Sequence, residues 1–374
     1  MHPSIDLRTS SKLIVVTFLM ATALALPAQQ PGNAAGQTAA TQPAPTQQPA
    51  SQAPSLTEDR DPVRSPDPEG AAQPAAAPLR KSGDSYVLRT DVEEVVLNAT
   101  VLSGTKLVPD LKKENFKVFE DGVKQTLLSF QHTDVPVSIA VVVDNSGSMA
   151  KKRPSVNKSA LDLIQASNAQ DEAFVVNFSD EAFIDQEFTS DVNKLRDGLS
   201  HIESRGGTAL YDAVVASADK LAADAKRPKQ VLILITDGED NASTLNLEQT
   251  IHRVQQLSGP TIYSIGLLFG DEMTRAEVKH ARRALEMLST ETGGIAFFPK
   301  NIEQVDQIAA EVAQDIRSQY MLGYHSTKPS SEPGFRRVEV AAEAKDKGKL
   351  DVRTRTGYFP MPRNQKKAPA TEQK

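Results

Sequence analysis

The chain has 374 residues, 39% of them hydrophobic and 24% charged, enough for two or three domains at about 150 residues each. Its net charge of -6 gives no electrostatic basis for binding nucleic acid. Cysteine is absent, which excludes disulfides, thiolate metal sites, a cysteine nucleophile and lipid attachment through an N-terminal cysteine, so any metal must be held by oxygen or histidine.

The N-terminus reads as an export signal. Arg8 and Lys12 precede an apolar run from Leu13 to Leu26, and small residues follow in Ala23-Leu24-Ala25 and Leu26-Pro27-Ala28. The run is shorter than the ~20 residues of a comfortable bilayer span. Residues 1–28 are therefore expected to be a signal peptide, and the protein to be periplasmic, cell-surface or secreted. Membrane contact is expected only if the signal stays uncleaved as an anchor. Residues 29–83 are dominated by Ala, Pro, Gln and Ser. Such a segment buries too little apolar surface to offset its ordering entropy, and it reads as a disordered linker.

Residues 84–135 have strand character. Val95 to Val101 offers one apolar face at its odd positions, and Phe116-Lys117-Val118-Phe119 leads into Asp121-Gly122, a two-residue hairpin signal. Lys124 to Phe130 reads as the returning strand. About 50 residues make a marginal core. Residues 319–360 supply the expected remainder, through Tyr320, Leu322 and Tyr324, then Val338 and Val340, then Leu350, Val352 and Thr354. The two segments read as halves of a small β-sandwich, and residues 361–374 as a disordered tail.

Between the halves, residues 136–318 change texture. Ser138 to Val143, Gln230 to Ile235 and Thr261 to Leu268 are continuous apolar runs, as required of parallel strands covered on both faces. Helical segments separate them at 155–169, 191–203, 209–225, 246–257, 273–292 and 302–317. The expected fold is α/β: a doubly wound, mostly parallel sheet inserted between the sandwich halves. Ligands of such sheets sit at the carboxyl ends of the strands, near the switch point.

Two core strands end in an acidic residue. One runs into Asp144-Asn145-Ser146-Gly147-Ser148-Met149, the other into Thr236-Asp237-Gly238, and Gly206-Gly207-Thr208 lies between them before a helix. Each piece alone reads as a helix cap or a loop exit, because Asp, Ser and Thr favour both. Together, Asp-x-Ser-x-Ser, the helix-opening Thr and Thr-Asp-Gly resemble the metal-ion-dependent adhesion site of von Willebrand factor A domains. The resemblance covers about half the chain. It implies that Asp144, Ser146, Ser148, Thr208 and Asp237 surround a divalent cation, Mg2+ first, with Mn2+ and Ca2+ as alternatives. It further implies direct hydroxyl ligands, carboxylates acting through water, and an Asp or Glu of a protein partner completing the shell. The spacing is compatible with this: Mg2+ takes six oxygens at ~2.1 Å, and three side chains at i, i+2 and i+4 of a tight loop can converge.

Other features weigh less. Lys151, Lys152 and Arg153 could steer an acidic partner but read first as a solvated helix entry. Asp240 resembles an accessory ligand but reads first as surface. His2, His132, His201, His252, His280 and His325 form no i, i+4 pair, and there is no Gly-x-Ser-x-Gly elbow and no Walker loop. The flanks, Leu111 to Gly122, Tyr320 to Tyr324 and Val352 to Tyr358, look like the exported "VWFA-related" proteins of acidobacteria. The expected function is a non-enzymatic, metal-dependent protein-binding or adhesion module. The alternatives are a metal-dependent hydrolase, an accessory subunit of an envelope enzyme complex, or a structural envelope protein. In the family the last helix can shift on ligation, which implies that residues 302–317 pass ligation to the sandwich.

Overall fold

The computed structural model describes residues 94–360 except 133, 166–167, 169, 201–203, 258 and 271–272, together with four short strands at Leu56–Glu58, Asp61–Val63, Lys81–Ser82 and Ser85–Tyr86. The expected signal peptide and tail, and most of the expected linker, lie outside the described residues.

The N-terminal flank forms β1 (Glu94–Ser103), β2 (Lys106–Leu107), β3 (Phe116–Glu120), β4 (Val123–Gln125) and β5 (Leu127–Gln131). Asp121 and Gly122 both take positive φ, 48° and 78°, between β3 and β4, whose end residues Glu120 and Val123 pair. That is the primed two-residue turn the Asp-Gly pair encodes. The single returning strand expected over 124–130 is instead two. β4 pairs with β3, and the chain then breaks at Thr126 so that β5 joins the other sheet. A strand that switches sheets in this way closes a corner of a sandwich.

The inserted unit consists of β6 (Val137–Asp144), α1 (Arg153–Gln165), β7 (Glu172–Phe178), β8 (Ala182–Thr189), α2 (Val192–Ser200), α3 (Leu210–Asp224), β9 (Lys229–Thr236), α4 (Leu247–Gln256), β10 (Thr261–Gly266), α5 (Arg275–Thr292), β11 (Ala296–Phe297) and α6 (Val305–Arg317). The strands run in the order β11-β10-β9-β6-β7-β8, all parallel except β8. Leu56–Glu58 pairs in parallel with the outer edge of β8. Every position of β6 and β7 is buried, as expected of central strands with helices on both faces. Side chains of alternating parity feed two cores. Val141, Ile233 and Ile265 face Leu163, Val312 and Ile316, whereas Val142, Leu232 and Leu234 face Val214, Leu221 and Leu288. The fold is thus the expected doubly wound α/β sheet. Its switch point lies at β6, because β7 and β9 flank it on opposite sides.

After α6 the chain forms β12 (Tyr320–His325), β13 (Arg336–Ala342), β14 (Asp351–Arg353) and β15 (Gly357–Tyr358). These strands interleave with those of the N-terminal flank. One sheet runs β14-β1-β12-β5 with β2 on β1, and the other runs β15-β13-β3-β4. Leu97, Ala99, Val118, Tyr320, Leu322, Tyr324 and Val338 form a shared core. Each flank supplies what the other lacks, which is how segments too small to fold alone reach a stable core.

A buried polar joint ties α6 to the sandwich. The Asp315 carboxylate accepts from Arg353 Nη2 at 2.6 Å to each oxygen, from Thr100 Oγ1 at 3.4 Å and from the Tyr263 hydroxyl. Lys229, at the start of β9, donates to the carbonyl of Ile316 in the last turn of α6. Burial, with Arg317 beside it, drives the Lys229 amine down to about 7, against the pull of Asp315, Asp171 and Asp134.

Candidate functional site

The carboxyl ends of β6 and β9 and the amino end of α3 meet at the switch point. β6 delivers Asp144 at its last residue. The turn Gly147–Lys151 then carries the chain back over the sheet end, pinned by the buried Met149. Asp144 Oδ1 accepts the backbone N–H of Ser146 at 2.8 Å, the Asx-type contact that forces the loop to turn. Its Oδ2 accepts the hydroxyl of Thr236 from the neighbouring strand at 2.6 Å. Ser146 Oγ lies 3.0 Å from Ser148 Oγ, and Ser148 Oγ donates to Asp237 Oδ1 at 2.8 Å.

Thr208 arrives from the other side, with both of its backbone groups bonded to Asn241. Its N–H donates to Asn241 Oδ1 at 2.9 Å, and its carbonyl accepts from the N–H of Asn241 at 3.0 Å. A Cβ on Gly238 would stand 3.3 Å from Thr208 Oγ1 and 4.0 Å from Asp144 Oδ2, so both side chains pack against this glycine. Gly206 has φ of +82°, and its neighbour Gly207 donates to Asp180 Oδ1 at 2.8 Å. A Cβ on Gly206 would fall 2.4 Å from Asp180 Oδ2, so the turn that presents Thr208 needs glycine for both conformation and space.

All five expected residues therefore converge. Asp144, Ser146, Thr208 and Asp237 are buried, and Ser148 is exposed, so the cluster opens to solvent on the Ser148 side. Burial pushes the Asp144 carboxyl above its usual range; hydrogen bonds from Thr236 and Ser146 oppose the rise, and the Asp237 charge adds to it. The donor set, two carboxylates and three hydroxyls, is all hard oxygen and suits Mg2+, Mn2+ or Ca2+ rather than a soft metal. It already holds a cation. The Lys152 ammonium sits 2.6 Å from Asp237 Oδ2. Among the described residues no group of three His, Cys, Asp or Glu side chains converges, so hydroxyls must complete any ligand set here.

The basic run after the loop departs from expectation. Lys151 is exposed, but Lys152 and Arg153 are not the solvated helix entry the sequence suggested. Lys152 folds back onto Asp237, and Arg153 is buried with Nη1 donating to the carbonyl of Asp144 at 3.3 Å. Two anions buried under a loop draw in the nearest cations, an effect that residue-by-residue hydropathy does not register. Asp185 faces Arg153, and burial pushes its carboxyl up to about 7. Asp240 caps α3. Its Oδ1 accepts from the N–H of Leu210 at 2.9 Å and from Ser243 Oγ at 2.5 Å.

The von Willebrand factor type A domain family model matches residues 139–239, the stretch from β6 to just past Asp237. Among known proteins, the human inter-alpha-trypsin inhibitor heavy chain H4 is 24% identical over 176 residues, covering 44% of this chain and 18% of that protein. Heavy chain H6 is 25% identical over 217 residues, covering 51% and 16%. The chain thus spans less than a fifth of the length of either relative. Among solved structures, the vWF domain of the type V pili tip protein from Porphyromonas gingivalis aligns at TM-score 0.41 and 14% identity, over 49% of this chain and 96% of that one. A von Willebrand factor type A protein from Catenulispora acidiphila aligns at TM-score 0.42 and 13% identity, over 71% and 73%. Domains of this type are generally interaction modules. The doubly wound α/β unit of this chain is a von Willebrand factor type A domain.

Proposed function

We propose that the chain is an exported binding module whose type A domain takes up a divalent cation at Asp144, Ser146, Ser148, Thr208 and Asp237 and uses it to hold an Asp or Glu side chain of a protein partner. One observation carries the reading: five oxygen-bearing side chains from three separate loops meet at the carboxyl ends of β6 and β9. Once bound, the cation supplies an electrophilic centre that a carboxylate can ligate. The chain's own residues do the rest. Asp144 is fixed by Thr236 and the Ser146 N–H, Ser148 holds Asp237, and Asn241 clamps the backbone that presents Thr208. Ser148 stands at the solvent edge, where a partner would approach. Export is read from Arg8, Lys12 and the apolar run that follows.

The test is capture of partners from an envelope extract by the wild-type chain and by Asp144→Ala, in Mg2+ and in EDTA. The expected result is a protein retained by the wild type in Mg2+ and lost on chelation or on substitution. Capture that persists through both changes refutes the reading. A melting temperature that falls on chelation with no change in captured proteins would also refute it, and would assign the ion to fold stability alone.

A further inference from the structure

We infer that Lys152 is a tethered counter-ion of this site: its ammonium holds Asp237 while no divalent ion is bound and must be displaced for one to enter. The inference rests on the ion-binding reading above and specifies how that site is regulated. Asp237 has both carboxylate oxygens occupied by its own chain. Ser148 Oγ donates to Oδ1 at 2.8 Å, and Lys152 Nζ pairs with Oδ2 at 2.6 Å. The Asp237 side chain is fully buried and that of Lys152 is 13% exposed, so the pair is sheltered from water and from salt screening. The ring of Phe269, from the loop after β10, lies 5.7 Å from the ammonium and helps hold it there.

The two neighbouring cations differ in kind. Arg153 is buried and bonded to the backbone of the ion loop, a fixed part of the scaffold. Lys152 is a point charge on a flexible four-carbon stem, anchored on the same loop as Ser146 and Ser148. It is therefore the group that can leave. A divalent ion reaching Asp237 meets an ammonium already on one of the carboxylate oxygens, and two cations cannot share that oxygen in a sheltered site without strong repulsion. Ion binding and the Lys152–Asp237 pair are thus negatively coupled, and the coupling is reciprocal. The ammonium keeps the ion-free form from exposing an unpaired buried carboxylate, and it raises the ion concentration at which the site fills.

The experiment measures Mn2+ affinity from the loss of the free-ion electron paramagnetic resonance signal, on the wild-type chain, Lys152→Met, Lys152→Arg and Asp144→Ala. Lys152→Met is expected to bind Mn2+ roughly ten-fold more tightly than wild type, within the usual range of site–site coupling. Lys152→Arg, which keeps the charge, is expected to bind no more tightly than wild type. In EDTA, Lys152→Met should melt below wild type, and the gap should close in saturating Mn2+. Mn2+ binding that is lost in Asp144→Ala but equal in wild type and Lys152→Met overturns the counter-ion role and leaves the ion site standing. Absence of Mn2+ binding in wild type and Lys152→Met alike overturns both. If Lys152→Met does not fold without the ion, Lys152→Gln carries the same comparison.

Discussion

Replacing Asp315 with Ala tests whether α6 and the sandwich are welded together. The Asp315 side chain is 7% exposed and takes both short bonds from Arg353 of β14, besides those from Tyr263 and Thr100. Truncating one partner of a buried ion pair costs about 3–5 kcal/mol, because the other charge is left without compensation. The Arg353 side chain is 19% exposed and recovers part of its hydration, and the Tyr263 hydroxyl keeps the donor Gln319 at 3.0 Å. Both effects place the loss at the lower end, about 3 kcal/mol. Urea unfolding of Asp315→Ala, Arg353→Met and the double variant gives the coupling directly, and about 1–3 kcal/mol is expected for two groups in contact. A single-variant loss below about 1 kcal/mol, the level of an exposed pair, would refute the reasoning. The result also bears on whether movement of α6 can reach the sandwich, since Asp315 bonds to Arg353 and Thr100 there and β12 follows directly from α6.

Lys229 should make stability pH-dependent on the alkaline side. The unfolded lysine keeps its proton to about 10.5, whereas the folded one releases it above about 7, so the unfolded state binds more protons in that window and stability rises with pH. Relative to Lys229→Met, whose other groups cancel, the wild type should gain up to about 1.4 kcal/mol per pH unit above pH 7, and parallel denaturation profiles would refute this. Asp185 should act in the opposite direction. Its folded carboxyl stays protonated to about 7 while the unfolded one ionises near 3.8, so stability falls as pH rises between those values. Asp185→Asn, which mimics the neutral acid, should therefore gain on wild type between pH 4 and 7, and a constant difference across that range would count against the raised carboxyl.

Much of this was legible beforehand, and the residues show why. The runs at 138–143, 230–235 and 261–268 could be read as central strands because burial on both faces leaves no polar alternation to confuse. Asp144, Ser146, Ser148, Thr208 and Asp237 were picked out as a set only through the resemblance to the adhesion site, because each piece alone also suits a helix cap or a loop exit. What the sequence hid was non-local. Nothing around Thr126 announces that the strand divides there between two sheets, since the partners β3 and β12 are set by the closed sandwich. Lys152 and Arg153 carry no local sign of burial, because the anions that draw them in come from the ends of two strands. Asn241 gives no sign in the sequence that it anchors Thr208 through both backbone groups.

The interleaved flanks constrain how the chain can mature. β1 finds its neighbours in β12 and β14, and the Tyr320 hydroxyl reaches the N–H of Leu111 across 209 positions of sequence. The first sandwich strands to be made can form only their local pairings, β1 with β2 and β3 with β4, and must wait for their long-range neighbours until β12 to β14 have followed. The strands β6 to β11 of the inserted unit pair with one another in an unbroken row, so that sheet can close in the meantime and bring the waiting ends together. Closure of the sandwich then reports that the chain has emerged as far as β15.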